Sequence, residues 1–219
     1  MNNTSASNAP RTSSTKVAFG LTSRDFVILA MLVALEIILG LWNIPMPAGL
    51  SITFNMIPVA IAAIAIGPKG GAIIGGAFGL ISFLQCFGIM GSSGLGIALM
   101  QEGANPFLMF VHRFGSRFVD GLLLGYIFRA LRGRCNVFAA CSVTGFFAAF
   151  LNTLLFMSTL VLFFSNTAKM QQSMAGRAFF AYIVASVGVN GLIEMAVSTI
   201  LTGAVGTALH KAGFVHTGK

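Results

Sequence analysis

Residues 106–134, PFLMFVHRFGSRFVDGLLLGYIFRALRGR, carry His112, Arg113, Arg117 and Asp120 inside an otherwise apolar run. Guanidiniums in such surroundings do one kind of work well: their paired N–H donors hold an anion with little competition from water. Arg113 and Arg117 are four apart and share a helical face, and Asp120 lies three residues beyond Arg117. A local Arg117–Asp120 pair would lower the cost of burying both. Arg113 has no such neighbour, so another helix, a ligand or the membrane surface must answer its charge. Counting from Pro106 at 1.5 Å per residue, Arg113 lies roughly 10 Å and Arg117 roughly 16 Å into the run.

Other polar side chains sit at similar depth. Asn152 and Thr153 interrupt one apolar stretch, and Asn190 and Glu194, four apart, share a face of another. Gln85, Asn105 and His112 add groups that accept or donate near one end of the bundle. Charged groups near a bilayer centre cost about 2.5–3.5 kcal/mol on insertion scales, and persist where they face a cavity or a partner. Glu194 is expected to bridge to Arg117 or Arg113, or else to touch ligand. Glu36 in the first apolar run has no evident assignment. Together these groups describe a cationic pocket for a small, polar, anionic solute.

Rival chemistries find less support. Gly91-Ser92-Ser93-Gly94 matches the G-x-S-G of rhomboid proteases, where a histidine on another helix activates the serine. Here His210 belongs to the opposite end of the chain's last span, and His112 stands in an unmatched context. Cys86, Cys135 and Cys141 show no CxxC or Cys/His ligand spacing, so they are expected as small buried hydrophobes and not as a metal or disulfide site. No Walker pattern accompanies the glycines. A self-sufficient secondary transporter or channel would be expected to show inverted repeats, and none is evident between residues 25–105 and 107–209.

The elements that must position these residues are helices in a membrane. The 219 residues are 56% hydrophobic and 8% charged, whereas a soluble domain is about 25% charged. Six stretches approach the roughly 20 apolar residues a crossing needs: 25–43, 52–67, 70–88, 107–130, 136–164 and 178–209. The expected fold is therefore an all-α integral membrane protein, a bundle of six transmembrane helices. The net charge of +8 does not point to nucleic acid. Arg11, Lys16, Arg24, Lys69, Arg129, Arg132, Arg134, Lys211 and Lys219 fall on one side of such a bundle, the positive-inside pattern that puts both termini in the cytoplasm.

Residues 1–20 are Ser/Thr/Asn-rich and read as a disordered cytoplasmic tail, 21–212 as the membrane domain and 213–219 as a second tail. Gly67-Pro68-Lys69-Gly70 turns the chain between the second and third spans. The connection 88–106 is long, Gly/Met-rich and still apolar, the character of an external lid. Gly67, Gly71, Gly75 and Gly79 form a small-residue stripe suited to close helix packing, and Ala30 and Ala34 repeat the idea in the first span.

ITFNMIPVAIAAIAIGPKGGAIIGGAFGLISFL (52–84) resembles the second and third spans of the S components of energy-coupling-factor (ECF) vitamin transporters. The likeness lies in the IPVAIAAIA run, the GPKGG turn and the Gly-rich helix. R-F-x-x-G-L-L-x-G-x-I-F-R (117–129), AFLNTLLF (149–156) and NGLIEM (190–195) are similar to the later spans, and the resemblance covers about 25–210. It implies a multi-pass protein of a prokaryotic plasma membrane with an external vitamin site, capped by the connection between the first and third helices or by that between the third and fourth. It also implies no enzymatic activity and no cofactor in this chain; ATP and magnesium would be bound by two partner ATPases, which drive uptake together with a transmembrane T component. The family's A-x-x-x-A docking motif falls on Ala30 and Ala34.

Within the family the pantothenate-specific type is most similar, and riboflavin, folate and cobalamin types share the frame. On that reading Arg113 or Arg117 meets the vitamin's carboxylate, and Gln85, His112, Asn152 and Asn190 satisfy its other polar groups.

Overall fold

The structure, a computed structural model, describes residues 20–41, 44–45, 51–52, 54–174 and 179–215, with side chains throughout except at 44–45, 51–52, 173–174 and 179–190. The expected tails, 1–20 and 213–219, fall almost wholly outside the described residues, as does most of the 42–51 connection. Of that connection, Ile44–Pro45 pairs antiparallel with Ser51–Ile52 in a two-residue ladder. Everything else that is regular is helical.

Helix α1 (Ser23–Leu41) begins where Thr22 and Asp25 cap each other reciprocally. The Thr22 N–H donates to Asp25 Oδ2 at 2.8 Å, and the Asp25 N–H donates to Thr22 Oγ1 at 3.3 Å. Asp25, Leu29, Leu32, Glu36 and Gly40 form its buried stripe, while Val27, Met31, Ile38 and Leu41 are exposed. An apolar face turned outward on an apolar helix is the mark of a lipid-facing surface. Helix α2 (Met56–Ala65) is buried at every residue and forms the centre of the largest core cluster.

After Ile66 the chain reverses. Gly67 takes φ 93°, a conformation only glycine adopts freely, and Pro68 opens α3 (Pro68–Leu84) with its φ already set for a helix. Gly67 therefore serves this turn, and the packing stripe is Gly71, Gly75 and Gly79 alone. Its partner is α6 (Ser116–Leu131). A Cβ at Gly71 would strike the Gly121 carbonyl, one at Gly75 the Arg117 carbonyl, and one at Gly79 the Phe114 Cα. The glycines thus bring the two backbones into contact and fix the height of Arg117.

The 88–106 connection holds a helix of its own, α4 (Gly94–Gln101), whose Leu95 and Leu99 are buried with Cys86, Met109, Leu160 and Met170. A continuous helical run follows. It begins as α5 (Pro106–Phe110), widens to a π turn over Val111–Gly115, and continues as α6. Helices α7 (Val137–Phe164) and α9 (Phe179–Lys211) pack against each other through Gly145, Gly203 and Gly206, with the short α8 (Ala168–Met174) between them in sequence. Pro68–Phe87, Val137–Phe164 and Gly191–Lys211 are long and apolar enough to cross a membrane. At the end of the chain, Arg24 donates to the Gly213 carbonyl at 2.8 Å and lies 3.8 Å over the Phe214 ring. Residues 213–215, expected as tail, are thus held against α1.

Candidate functional site

Helices α3, α4 and α7 and the run 106–131 converge at the end of the bundle that carries α4. The π turn sets the first two residues. One extra residue in a helical turn re-aims the side chains around it, and His112 and Arg113 both lie in this turn, buried. The Arg113 guanidinium donates through Nη1 to Ser82 Oγ of α3 at 3.1 Å, and through Nη2 to Ser93 Oγ at 2.9 Å. Ser93 is also the N-cap of α4, accepting from the Gly96 N–H at 3.3 Å. One hydroxyl thus fixes both the connection and the arginine.

Arg117 lies below. Its Nη1 donates to the Arg113 carbonyl at 3.4 Å and to Ser116 Oγ at 3.3 Å. Its guanidinium is 4.6 Å from the ring centroids of both Phe78 and Phe156, while Arg113 lies 5.0 Å from the same Phe156 ring. Two cations therefore share one aromatic face supplied by α7. The expected Arg117–Asp120 pair is not a hydrogen-bonded one: both Asp120 oxygens lack a partner among the described residues. Helical side chains lean toward the N-terminus, so Arg117 reaches back to Arg113 and Ser116 and away from the next turn.

His112 is fully buried between Phe156, at 4.5 Å between ring centroids, and Phe164. Its Nδ1 lies 2.8 Å from Thr159 Oγ1, whose own proton goes to the Leu155 carbonyl at 2.7 Å. This assigns Nδ1 as the donor and leaves Nε2 as an acceptor without a protein partner among the described residues. Asn152, half-buried one turn before Phe156 on α7, likewise has an unpartnered Oδ1. The arrangement presents two guanidiniums and an imidazole around the Phe156 ring, with no carboxylate hydrogen-bonded to either arginine among the described residues. Such a set is chemically suited to an anion.

The family model for the ECF transporter substrate-specific component matches residues 24–206. The chain belongs to that family. This S component is 30% identical over 160 residues to the pantothenate transporter PanT of Leuconostoc mesenteroides, covering 72% of this chain and 74% of that one. It is 26% identical over 202 residues to the pantothenic acid transporter PanT of Lactococcus lactis, covering 86% and 94%.

Of the residues singled out from the sequence, the S component brings His112, Arg113 and Arg117 together on the Phe156 ring, and Asn152 lies one turn before that ring on α7. Gln85 borders them but spends its Nε2 on the Gly40 and Met90 carbonyls, at 2.8 and 3.4 Å, tying the ends of α1 and α3 to the connection. Asn105 is exposed and caps α5, accepting from the Phe107 N–H at 2.9 Å. Glu194 lines a small cavity with Phe54, Met56, Ile57, Ala149 and Ser198, and it is not among the hydrogen-bond partners of Arg113 or Arg117. The side chain of Asn190 is outside the described residues. Ala30 and Ala34 face outward on α1. Ser82, Phe78 and Phe156 were not picked out from the sequence, and Ser93 stood out there only within the G-x-S-G match and the long connection read as a lid.

Proposed function

We propose that this S component captures pantothenate outside a prokaryotic plasma membrane and delivers it inward with a T component and two ATPases. The supporting observation is the buried Arg113–Arg117 pair over Phe156, two guanidiniums that make no hydrogen bond to a carboxylate. A vitamin carboxylate supplies the missing charge, and the names of both relatives agree with it. Six crossings with cytoplasmic termini fit the long helical segments and the placement of the basic residues. That puts α4 and the arginines at the outer side, with α4 as the lid. The outward Ala30–Ala34 face is the docking surface for the T component. The chain itself binds no nucleotide; ATP and magnesium belong to the ATPases.

Calorimetry of the detergent-solubilised protein against pantothenate, riboflavin, folate and cobalamin tests the cargo. Tight binding of pantothenate alone is expected, and tight binding of another vitamin in its place overturns the assignment. Uptake by vesicles lacking any ATPase would instead favour a self-sufficient transporter.

A further inference from the structure

Glu36 of α1 and Asn55, at the start of α2, are both 0% exposed. The Asn55 Nδ2 group donates to Glu36 Oε2 at 2.8 Å and to the Glu36 carbonyl at 3.2 Å. The chemistry fixes the amide's orientation: turned over, its oxygen would face a carboxylate and a carbonyl. Both Asn55 donors are therefore spent, and what remains on each side chain is an acceptor. Glu36 Oε1 and Asn55 Oδ1 have no partner among the described residues. Leaving buried acceptors unmet costs about 1–3 kcal/mol apiece. A link between α1 and α2 explains Glu36 Oε2 but neither free oxygen, and a well-packed apolar pair would hold the helices at lower cost.

Position gives the acceptors a role. Phe78, whose ring lies 4.6 Å from the Arg117 guanidinium, packs in the same core cluster as Leu32 of α1, one turn before Glu36, and Met56 of α2, next to Asn55. One turn along α1 from Glu36, a Cβ at Gly40 would lie 3.5 Å from Gln85 Nε2 and 3.8 Å from Asn55 Nδ2, so Asn55 and Gln85 both border that glycine. The polar interior thus has two ends. Arg113 and Arg117 offer donors, including Nε atoms without partners among the described residues, and the Glu36 carboxylate and the Asn55 oxygen offer acceptors.

We infer that Glu36 Oε1 and Asn55 Oδ1 form the hydroxyl-accepting end of the ligand site. This assignment rests on the arginine-bound carboxylate proposed above. It selects a solute that is anionic at one end and carries hydroxyl donors at the other, and it discriminates against an anion of the same shape lacking them. Sites built to hydrogen-bond a ligand hydroxyl reject the analogue without it because the protein acceptors are then stranded.

The test compares pantothenate with its dideoxy analogue, which keeps the carboxylate and amide but lacks both hydroxyls, by calorimetry on wild type and Glu36→Gln. Wild type should prefer pantothenate by on the order of tenfold or more, the scale of one hydrogen bond to a charged group. Glu36→Gln, which turns the free acceptor into a donor at constant shape, should compress that preference to about threefold or less by weakening pantothenate alone. Asn55→Ser, which can still donate to Glu36, is the second variant and should compress it too. The ratio is internal to each preparation, so a reduced folded fraction does not move it. Equal losses for both ligands, or an unchanged ratio, would make the pair purely structural and overturn the inference. Wild type that binds neither ligand removes the pantothenate reading and the acceptor assignment with it. Equal binding of both removes the acceptor assignment alone.

Discussion

Arg113 and Ser93 are joined by a 2.9 Å hydrogen bond between a residue inside the helical run and one in the connection above it. Ser93 also starts α4, so whatever displaces the Arg113 guanidinium tugs on the cap of the covering helix. Ser93→Ala should therefore accelerate pantothenate release by about three- to tenfold, the scale of one hydrogen bond to a charged group, while leaving the unliganded fold intact. Stopped-flow displacement measures it, and an unaltered off-rate would show that α4 does not hold the ligand. Deleting 90–103 is a poorer test, because it would also remove Leu95 and Leu99 from a core cluster.

Arg113→Ala should weaken pantothenate binding by at least about tenfold if its guanidinium meets the carboxylate. Arg113→Lys should recover only part of that, since an ammonium cannot reproduce the planar two-pronged contact to Ser82, Ser93 and an anion together. Calorimetric affinity identical to wild type would exclude Arg113 from the site.

Ala30→Trp or Ala34→Trp should abolish vitamin uptake by the assembled transporter while leaving binding to the isolated S component unchanged. Both positions are exposed on α1, opposite the Glu36 stripe, so a large side chain there meets only lipid or a partner. Loss of binding in either variant would place that face inside the fold.

Gly75→Ala should lower the unfolding temperature in detergent, with a cost of about 1–3 kcal/mol or more, because the new methyl meets the Arg117 backbone and nothing flexible can yield. Gly67→Ala should cost less and act through backbone strain, since no atom lies within 4 Å of a Cβ there. Equal melting shifts for the two would contradict the separation of packing from turn geometry along this glycine series.

Much of the bundle was legible in the sequence because lipid leaves a chain few options. The apolar runs forecast the helices to within a few residues, from 25–43 against Ser23–Leu41 to 136–164 against Val137–Phe164. The stretch 52–67 was longer than the ten residues of α2, since apolar character does not say where a helix stops. The arginines declared themselves by their cost.

What the sequence alone determined is the inventory: which groups are expensive to bury, and that glycines every four residues mark a close helix contact. Tertiary structure decided which groups meet. The π turn aimed Arg113 at Ser82 and Ser93, a backbone event that residue spacing on a regular helix does not reveal. Helix packing turned Glu36 toward Asn55, set Glu194 among Phe54, Ala149 and Ser198, and left Asp120 out of the arginine's hydrogen bonds. Spacing along one helix fixes a residue's face, but its partner belongs to another helix, and only packing sets the distance between them.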